Sequence, residues 1–362
     1  MKNPIYVTKP FLPKKKTLNM YINEIYLSRR LTNHGTLVRE LEQKLKEYFQ
    51  AKNVILVANG TLALQIAYKS MNIKGKAITT PFSFVATTSS LVWEGIKPIF
   101  ADIDPKKLTI DPEKIRKAID PTVTGIVPVH VYGNACDIER IKEISDEYGL
   151  NVVYDAAHAF GVKYRGKNIL NYGDASIISF HATKLFHTIE GGAIVTQNDD
   201  IAHRARLMRD FGIADIDKVE DIGINAKMNE FEAAMGLSIL GQVGKIIAKR
   251  KAVWREYHDL LDGYVEFPEL TEGVEWNYSY VPILLKDESQ LLKLVKVLEE
   301  KAIYPRRYFY PSLDTLPYIT ERHNSPISRN ISERVLCLPT YSEISTEEVD
   351  NIARTIKMEV RS

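Results

Sequence analysis

The feature that most constrains the fold of this chain is an alternation of short apolar runs with amphipathic helical patterns through its first half. The apolar runs are strand-sized and read VILV, KAITT, KPIFAD, GIVPVH and NVVYD. Strands separated by helices are typical of βαβ units, whose strands lie parallel in one sheet. After Asp155 the alternation stops, because ASIISF and GAIVT are separated by about a dozen residues without a helical stripe. That separation is short for a parallel crossover, so the sequence predicts an α/β fold with a mixed, mostly parallel sheet of about seven strands.

The last third of the chain has a different pattern. A long helical stretch from about Asn229 to Asp262 is interrupted near Gly241 and Gly244. It is followed by the apolar run SYVPILL and two further helical patterns, SQLLKLVKVLEEKA and STEEVDNIARTIKMEV. A chain of 362 residues is long for one compact domain. We therefore expect a large domain over residues 1–244 and a smaller α+β domain over residues 245–362.

The composition argues against several classes of function. A net charge of +2 gives no strong field for nucleic acid or a membrane surface. The apolar runs are far shorter than the roughly 18 residues of a membrane-spanning helix, and the N-terminus lacks the apolar core of a secretory signal. The two cysteines, Cys136 and Cys337, do not suggest a disulfide scaffold or a zinc site. These features predict a cytoplasmic protein without nucleic-acid or membrane partners.

Polar residues follow two of the predicted strands, at the edge of an open α/β sheet where ligands bind. Gly60 and Thr61 stand between a strand and a helix start, where backbone N–H groups favour a phosphate. Asn-Gly-Thr is also an ordinary helix entry. Asp155 directly follows an apolar run that is predicted to be a buried strand, and His158 lies three residues further along the chain. A carboxylate there needs a cation or donors, so Asp155 is either a helix N-cap or the partner of a protonated ring nitrogen.

Lys184 lies in SFHATKLFHTIEGGAIVT, between an apolar strand and a Glu-Gly-Gly turn. A lone lysine is most often a solvated amine, and with a pKa near 10.4 it is a poor nucleophile at neutral pH. Condensed with an aldehyde as a Schiff base, it no longer needs that charge. A phosphate cradle, a carboxylate and a lysine in this order are what pyridoxal phosphate requires. His181 and His187 have no third ligand nearby, so no metal site is expected.

Over nearly its whole length the chain resembles the DegT/DnrJ/EryC1/StrS family of sugar aminotransferases, which have the type I pyridoxal-phosphate fold. The motifs that carry the resemblance occur in the family's order and at its usual spacings: NGTLAL, PFSFVATTSS, PVHVYGNACDIERI, YDAAHAFG, GDASIISFHATKLFHTIEGGAIVT and GINAKMNEFEAAMGL. The resemblance implies an enzyme with pyridoxal 5′-phosphate as its cofactor, which moves an amino group from L-glutamate to a nucleotide-linked keto sugar. It also implies a homodimer with shared active sites.

The resemblance implies catalytic roles for three residues. Lys184 would bond covalently to the cofactor aldehyde and move protons between the cofactor and the substrate carbon. Asp155 would pair with the ring nitrogen, and His158 would lie by the ring hydroxyl. Glu190, in the turn behind the lysine, is assigned no chemistry.

Five further residues would hold the cofactor. Ser179 and the backbone at Gly60 and Thr61 would bind its phosphate. Phe84 stands where the family places an aromatic ring against the cofactor face, unless it is a plain core residue. Asn225 would reach the phosphate in the partner subunit's site.

The sequence constrains the identity of the sugar less than it constrains the cofactor, because two segments differ from the usual pattern of the family. RRYFYPSLD replaces the usual Tyr-Pro-Leu-His, and Lys227 stands where many members have arginine. The basic and aromatic segment from Arg306, with Arg307, Tyr308 and Tyr310, is either a contact for the nucleotide sugar or a charged surface strand. With SFHATKLFHTIEGG and GINAKM, this segment looks most like the subgroup that aminates dTDP-4-keto-6-deoxyglucose. These are the viosamine transaminases, which suggests a place in lipopolysaccharide O-antigen biosynthesis.

Other functions remain to be compared with this one. Amination at C3 of a dTDP-3-keto-6-deoxy sugar is the alternative reaction. The family's dehydratase branch has histidine at the lysine position, which Lys184 contradicts. A non-catalytic regulatory member would be expected to lack part of the set Asp155, His158 and Lys184, which is intact. A nicotinamide dehydrogenase would need a Gly-x-Gly-x-x-Gly turn after its first strand, and the sequence has none.

Overall fold

The computed structural model describes residues 3–321 and 323–361. Its strands are β1 (Ile5–Tyr6), β2 (Asn53–Val57), β3 (Lys76–Thr79), β4 (Lys97–Phe100), β5 (Val123–Val127), β6 (Asn151–Asp155), β7 (Lys163–Tyr164), β8 (Lys167–Asn168), β9 (Ala175–Ser179), β10 (Gly192–Thr196), β11 (Ile213–Asp215), β12 (Lys218–Val219), β13 (Val274–Glu275), β14 (Pro282–Leu284), β15 (Ile303–Tyr304) and β16 (Val335–Cys337). Its α-helices are α1 (Lys15–Ser28), α2 (Thr36–Phe49), α3 (Gly60–Ser70), α4 (Val85–Trp93), α5 (Pro112–Ala118), α6 (Ile138–Tyr148), α7 (Asp199–Arg209), α8 (Glu230–Leu240), α9 (Val243–Leu261), α10 (Glu288–Glu300), α11 (Pro326–Arg334) and α12 (Thr346–Arg361).

A seven-stranded sheet organises the larger part of the chain, in the order β2-β10-β9-β6-β5-β3-β4. Strand β10 runs antiparallel to both of its neighbours, and the other adjacent strands are parallel. The predicted mixed sheet of about seven strands is confirmed. Its antiparallel strand is GAIVT, the run that follows the short connection after ASIISF.

Helices cover both faces of this sheet. Along β2, Val54 and Leu56 join the core that contains α2 and α6, whereas Ile55 and Val57 join the core that contains α3 and α7. Side chains alternate between the faces of a strand, so a strand covered on both faces must be apolar throughout. That requirement explains why the strands read as continuous apolar runs in the sequence.

The smaller unit has a core of its own. Helices α9, α10 and α12 pack with β14 and the residues after β16, and β14 pairs antiparallel with β16. The N-terminal strand β1 also belongs to this core, since Ile5 pairs with Ile303 of β15 in parallel register. We keep the division at residues 244 and 245 as a proposal, with β1 as an N-terminal segment attached to the smaller unit.

The long helical stretch that crosses the proposed division between the two units is broken, as its glycines predict. Helix α8 ends at Leu240 and α9 begins at Val243, and the two axes differ by 64°. Gly241 lies at the break, while Gly244 lies inside α9. In the described residues no single helix has the length and apolarity to cross a membrane, although the bent α8–α9 pair meets that test on length and composition alone.

Candidate active site

A cavity of about 320 Å³ opens at the carboxyl ends of β2, β6 and β9, against the smaller unit. Because β10 is antiparallel, its first residue, Gly192, pairs with the last residues of β2 and β9, Val57 and Ser179. The strand ends therefore meet at one edge. The sequence-predicted residues that line the cavity are Gly60, Thr61, Phe84, Asp155, His158, Ser179, Lys184 and Tyr308.

The Glu-Gly-Gly turn lets the lysine loop fold back to this edge. Gly191 has φ +155°, and a Cβ there would lie 2.0 Å from Thr188 Oγ1. At Gly192 a Cβ would lie 2.8 Å from the carbonyl carbon of Asn59, at the entry to α3. A side chain at Gly191 would meet Thr188 within the loop, and one at Gly192 would meet the backbone that enters α3, so both glycines are needed for this path of the loop that carries Lys184.

The start of α3 has the geometry of an anion site. The side chain of Asn59 caps the helix by accepting a hydrogen bond of 2.9 Å from the Leu62 amide. Gly60 and Thr61 follow in the first turn, whose amide groups lack intrahelical acceptors. Gly60 lies so close to Ser179 that a Cβ would be 3.0 Å from the Ser179 Cβ. The segment is thus an ordinary helix entry whose free amides and adjacent hydroxyl suit a phosphate.

Asp155 is a buried carboxylate at the end of β6. Its Oδ2 accepts a hydrogen bond of 2.7 Å from Thr87 Oγ1, and its Oδ1 accepts one of 3.1 Å from the Ala157 amide. Burial raises the pKa of Asp155, while these two bonds and the charge of Lys184 oppose the rise. The residues after Asp155 form turns, so the helix N-cap interpretation is wrong. A cation at this carboxylate would restore its charged form.

Lys184 is partly buried in the cavity and is not a solvated surface amine. Its Nζ donates a hydrogen bond of 3.3 Å to the hydroxyl of Tyr280. Burial lowers the pKa of Lys184, and the charges of Asp155 and Tyr308 oppose that shift. A lowered pKa increases the neutral fraction of the amine, which is the nucleophilic form.

His158 is buried between the large and smaller units. Its Nδ1 accepts a hydrogen bond of 3.3 Å from the Tyr132 amide, and its ring stacks on Phe309 with a centroid distance of 5.4 Å. Burial lowers the pKa of His158 well below its ordinary value, so the ring is neutral at neutral pH. Since Nδ1 accepts, the hydrogen lies on Nε2, which can donate to an acceptor in the cavity.

The two phenylalanines of PFSF have different environments. Phe82 is fully buried and packs edge-on against Tyr132 and Phe309. Phe84 is 52% exposed and lines the cavity. The core interpretation therefore applies to Phe82, and Phe84 presents a ring to whatever the cavity binds.

Asn225 does not reach the cavity of its own chain. It is exposed, and its backbone pairs with Asp210 after the β11–β12 hairpin. The neighbouring Lys227 forms an ion pair of 2.5 Å with Asp210 and lies over the ring of Phe211. A role for Asn225 in the partner subunit's site therefore stays a prediction.

The expected substrate contacts Arg307 and Tyr310 do not line this cavity, and their contact with the substrate stays a prediction. Arg307 donates to Glu288 Oε1 at 2.6 Å and lies 3.5 Å from the centroid of the Tyr310 ring. Arg306 lines the cavity instead, with its guanidinium 5.4 Å from the centroid of the Tyr308 ring. Adjacent side chains of an extended segment point to opposite sides, so only one of the two arginines can face the cavity.

Several cavity residues were missed by the sequence reasoning. Thr8, Thr87 and Tyr280 line the cavity from segments distant in sequence, and Glu190 lines it although no chemistry was assigned to it. Thr8, Thr87 and Tyr280 carry no local pattern that sets them apart. Arg306, which also lines the cavity, belongs to the basic and aromatic segment that the sequence analysis singled out.

The two histidines beside the lysine have protein partners. His181 Nε2 lies 3.5 Å from Glu190 Oε1, and His187 Nε2 lies 2.8 Å from the Phe11 carbonyl. Within residues 3–321 and 323–361, no three His, Cys, Asp or Glu side chains are placed to hold a metal ion.

The site fits pyridoxal phosphate on four counts. The amides and hydroxyl at the α3 entry suit its phosphate, and the buried carboxylate of Asp155 suits a protonated ring nitrogen. Phe84 offers an aromatic surface to a flat ring. Lys184 supplies an amine of lowered pKa for the aldehyde.

Known proteins resemble the chain over nearly its full length. The DegT/DnrJ/EryC1/StrS aminotransferase family matches residues 13–357. A dTDP-4-amino-4,6-dideoxy-D-glucose transaminase of Shigella dysenteriae is 40% identical over 364 aligned positions, which cover 99% of each chain. A transaminase of the same description from Escherichia coli is 37% identical, with 97% of this chain and 98% of the relative covered. The crystal structure of DesI in the presence of its TDP-sugar product superposes with a TM-score of 0.94 at 30% identity, covering 99% of this chain and 94% of that one.

Proposed function

Because this chain belongs to the DegT/DnrJ/EryC1/StrS aminotransferase family, we propose that it moves the amino group of L-glutamate to C4 of dTDP-4-keto-6-deoxy-D-glucose. It is an enzyme of the transaminase class with pyridoxal 5′-phosphate as its cofactor. The choice of sugar rests on one observation, the 40% identity with the Shigella dysenteriae transaminase across 99% of both chains.

The residues at the strand ends bind the cofactor in this proposal. Pyridoxal phosphate, when bound, supplies an aldehyde carbon that takes the amino group and a ring that withdraws electrons. Gly60, Thr61 and Ser179 would hold the phosphate at the α3 entry. Asp155 would keep the ring nitrogen protonated, because its buried carboxylate is stabilised by a cation. Nε2 of His158 would donate a hydrogen bond to the ring hydroxyl.

Lys184 moves the protons. Its Nζ lies in the cavity, and burial lowers the pKa of Lys184, which raises the neutral fraction of this amine above that of an exposed lysine. In this form Nζ accepts a proton from the carbon that loses the amino group. The resulting ammonium would then donate that proton to the cofactor, and the charge of the Asp155 carboxylate favours the ammonium form while Nζ holds the proton.

The nucleotide end of the substrate is assigned to Arg306 and Tyr308. A guanidinium matches phosphate oxygens in a bidentate arrangement, and a tyrosine ring can stack or donate. Both residues line the cavity, on the smaller unit. Binding of the remote diphosphate orients the reacting carbonyl toward Lys184.

We further propose that the enzyme is a cytoplasmic homodimer that acts in lipopolysaccharide O-antigen biosynthesis. The β11–β12 hairpin supports the dimer, since Ile216 is 93% exposed and Val219 and Ile222 are exposed beside it. An exposed apolar group of this kind is typical of an interface. Asn225 follows this hairpin in the sequence. If a second copy of the chain covers the hairpin, Asn225 would contribute to the active site of that second copy.

The substrate assignment is tested by a panel of ketones. The purified enzyme receives L-glutamate with dTDP-4-keto-6-deoxy-D-glucose, with a dTDP-3-keto-6-deoxy sugar, or with UDP- and GDP-linked 4-keto sugars. We expect the highest kcat/KM with the dTDP-4-keto sugar and a product aminated at C4. A preference for the 3-keto sugar or for another nucleotide would reject this substrate and leave the aminotransferase class standing.

A further inference from the structure

Tyr280 is a cavity residue of the smaller unit that contacts the reactive amine. Its hydroxyl accepts the 3.3 Å hydrogen bond from Lys184 Nζ. Its ring is buried against three other rings, at centroid distances of 5.0 Å from His158, 5.4 Å from Tyr132 and 5.9 Å from Tyr308. The phenol is therefore held in place from several sides, and its oxygen is directed at Nζ.

Tyr280 is the hydrogen-bond partner that the described residues provide for Lys184 Nζ. In an aminotransferase cycle the lysine alternates between a covalent bond to the cofactor and a free amine. A free amine in a buried site is unfavourable unless it donates to an acceptor. Asp155 acts on Lys184 through charge, and Tyr280 provides the hydrogen-bond acceptor that the structure places on Nζ.

The backbone that carries Tyr280 is fixed by a buried arginine. Arg250 of α9 donates from Nη1 to the carbonyl oxygens of Ser279 and Thr340, each at 3.1 Å. Its Nε is buried without a hydrogen-bond partner among the described residues, and burial lowers the pKa of Arg250 to about 10. Burying a cation costs desolvation free energy, and carbonyl groups compensate for that cost incompletely. The role of Arg250 is therefore better explained by its positioning of the Tyr280 backbone than by a gain in stability.

We propose that Tyr280 is a further catalytic residue, whose hydroxyl holds the free amine of Lys184 in line for the cofactor, and that Arg250 is the positioning residue that fixes Tyr280. The inference rests on the pyridoxal-phosphate chemistry of the proposed function. It is independent of which sugar is aminated.

The first test compares Tyr280→Phe with Tyr278→Phe. Both remove one hydroxyl, but Tyr278 is partly exposed and lies against Trp254 and Trp276, outside the cavity. Stopped-flow absorbance follows the bond between Lys184 and added pyridoxal phosphate as a function of pH. On the high-pH plateau, where the amine is neutral, Tyr280→Phe should slow capture about tenfold, and Tyr278→Phe should leave it unchanged.

Binding of a second ligand distinguishes a loss of lysine orientation from a general deformation of the cavity by Tyr280→Phe. Pyridoxamine phosphate cannot bond to the lysine, so its affinity should be equal in wild type and Tyr280→Phe. Capture at the wild-type rate in Tyr280→Phe would overturn the proposal. So would an equal loss for both ligands, because that loss would come from a deformed site. Failure of the enzyme to aminate any sugar would leave these measurements unaffected.

The positioning role of Arg250 is tested with a double-mutant cycle that combines changes at Arg250 and Tyr280. Arg250→Met should slow capture by a similar factor, and the double variant Arg250→Met/Tyr280→Phe should be no slower than the single variants, because both act through one hydroxyl. Arg255→Met, on the exposed side of the same helix, is the control. If Arg250→Met does not fold, Arg250→Lys replaces it in the same cycle. Independent, multiplying losses would reject the positioning role.

Discussion

At the scale of single residues, the buried carboxylate of Asp155 destabilises the fold and has a proposed role in the chemistry. Burial raises its pKa above the value of 3.8 expected for an unfolded chain. Between 3.8 and the raised value, the folded state binds more protons than the unfolded state, so stability falls as pH rises through this window. Above the window the loss is complete. The cofactor-free protein is therefore destabilised by this carboxylate at neutral pH.

Replacement of Asp155 by asparagine should have opposite effects on stability and on activity. Without cofactor, Asp155→Asn should have a higher free energy of unfolding than wild type at pH 7, measured by urea denaturation. Turnover with glutamate should fall by about 10²-fold or more, because the charge that holds the ring nitrogen protonated is lost. Asp146→Asn, at an exposed site on α6, is the control: it removes an exposed ion pair with Lys142, should lower stability by at most about 0.5 kcal/mol, and should leave turnover unchanged. Near-normal turnover in Asp155→Asn would remove Asp155 from the proposed mechanism.

The sequence predicts single residues unevenly. Lys184, Asp155 and Gly60 follow apolar runs, and the ends of such runs must meet at a sheet edge. Tyr280 comes from a distant segment, and its contact with Lys184 depends on the packing of the two units. Arg250 lies among Lys249 and Lys251 in the sequence, so only its burial distinguishes it from them.

At the scale of elements, the entry to α3 connects the proposed phosphate site to the sheet. Gly60 begins the helix, and its neighbour across the cavity edge is Ser179 at the end of β9. The close approach leaves no room for a branched side chain. A larger residue at Gly60 would occupy the place expected for the phosphate.

Gly60→Val should weaken the binding of pyridoxamine phosphate by about tenfold or more, as measured by equilibrium dialysis, because its side chain meets Ser179. Gly244→Ala is a matched control within α9, where a Cβ would have no atom within 4 Å. It should leave affinity unchanged and raise the free energy of unfolding by about 0.5–1 kcal/mol. Equal affinity in Gly60→Val and wild type would place the phosphate elsewhere.

Most elements of the large unit are predictable from their periodicity. The strands are covered on both faces, so their sequences are continuously apolar, and the break between α8 and α9 coincides with Gly241. The smaller unit is harder to predict because its strands are short, and β1 joins it from the other end of the chain. Pairing across such a separation leaves no local signal.

At the scale of the whole molecule, the cavity lies where the two units meet. A shared apolar cluster joins them, with Phe82 and Tyr132 from the large unit and Tyr280, Phe309 and Cys337 from the smaller one. The proposed homodimer would add Asn225 from the partner subunit to each site. Each site would then depend on two chains.

Mixing two inactive variants tests this dependence. Lys184→Ala and Asn225→Ala would damage opposite chains of one site, so a mixed dimer would contain one intact site and one with both defects. After subunit exchange, activity should recover toward about a quarter of wild type, because half of the dimers are mixed. Mass spectrometry confirms the exchange. Absence of recovery in exchanged dimers would place Asn225 in the site of its own chain.

The most direct test of the central claim is to reduce the cofactor-loaded enzyme with borohydride and map the modified lysine by peptide mass spectrometry. Reduction makes the bond between the cofactor and its lysine permanent. We expect one modified peptide, the one that contains Lys184, and no modification in Lys184→Ala. A label on any other lysine, or a purified protein that takes up no pyridoxal phosphate, would contradict it.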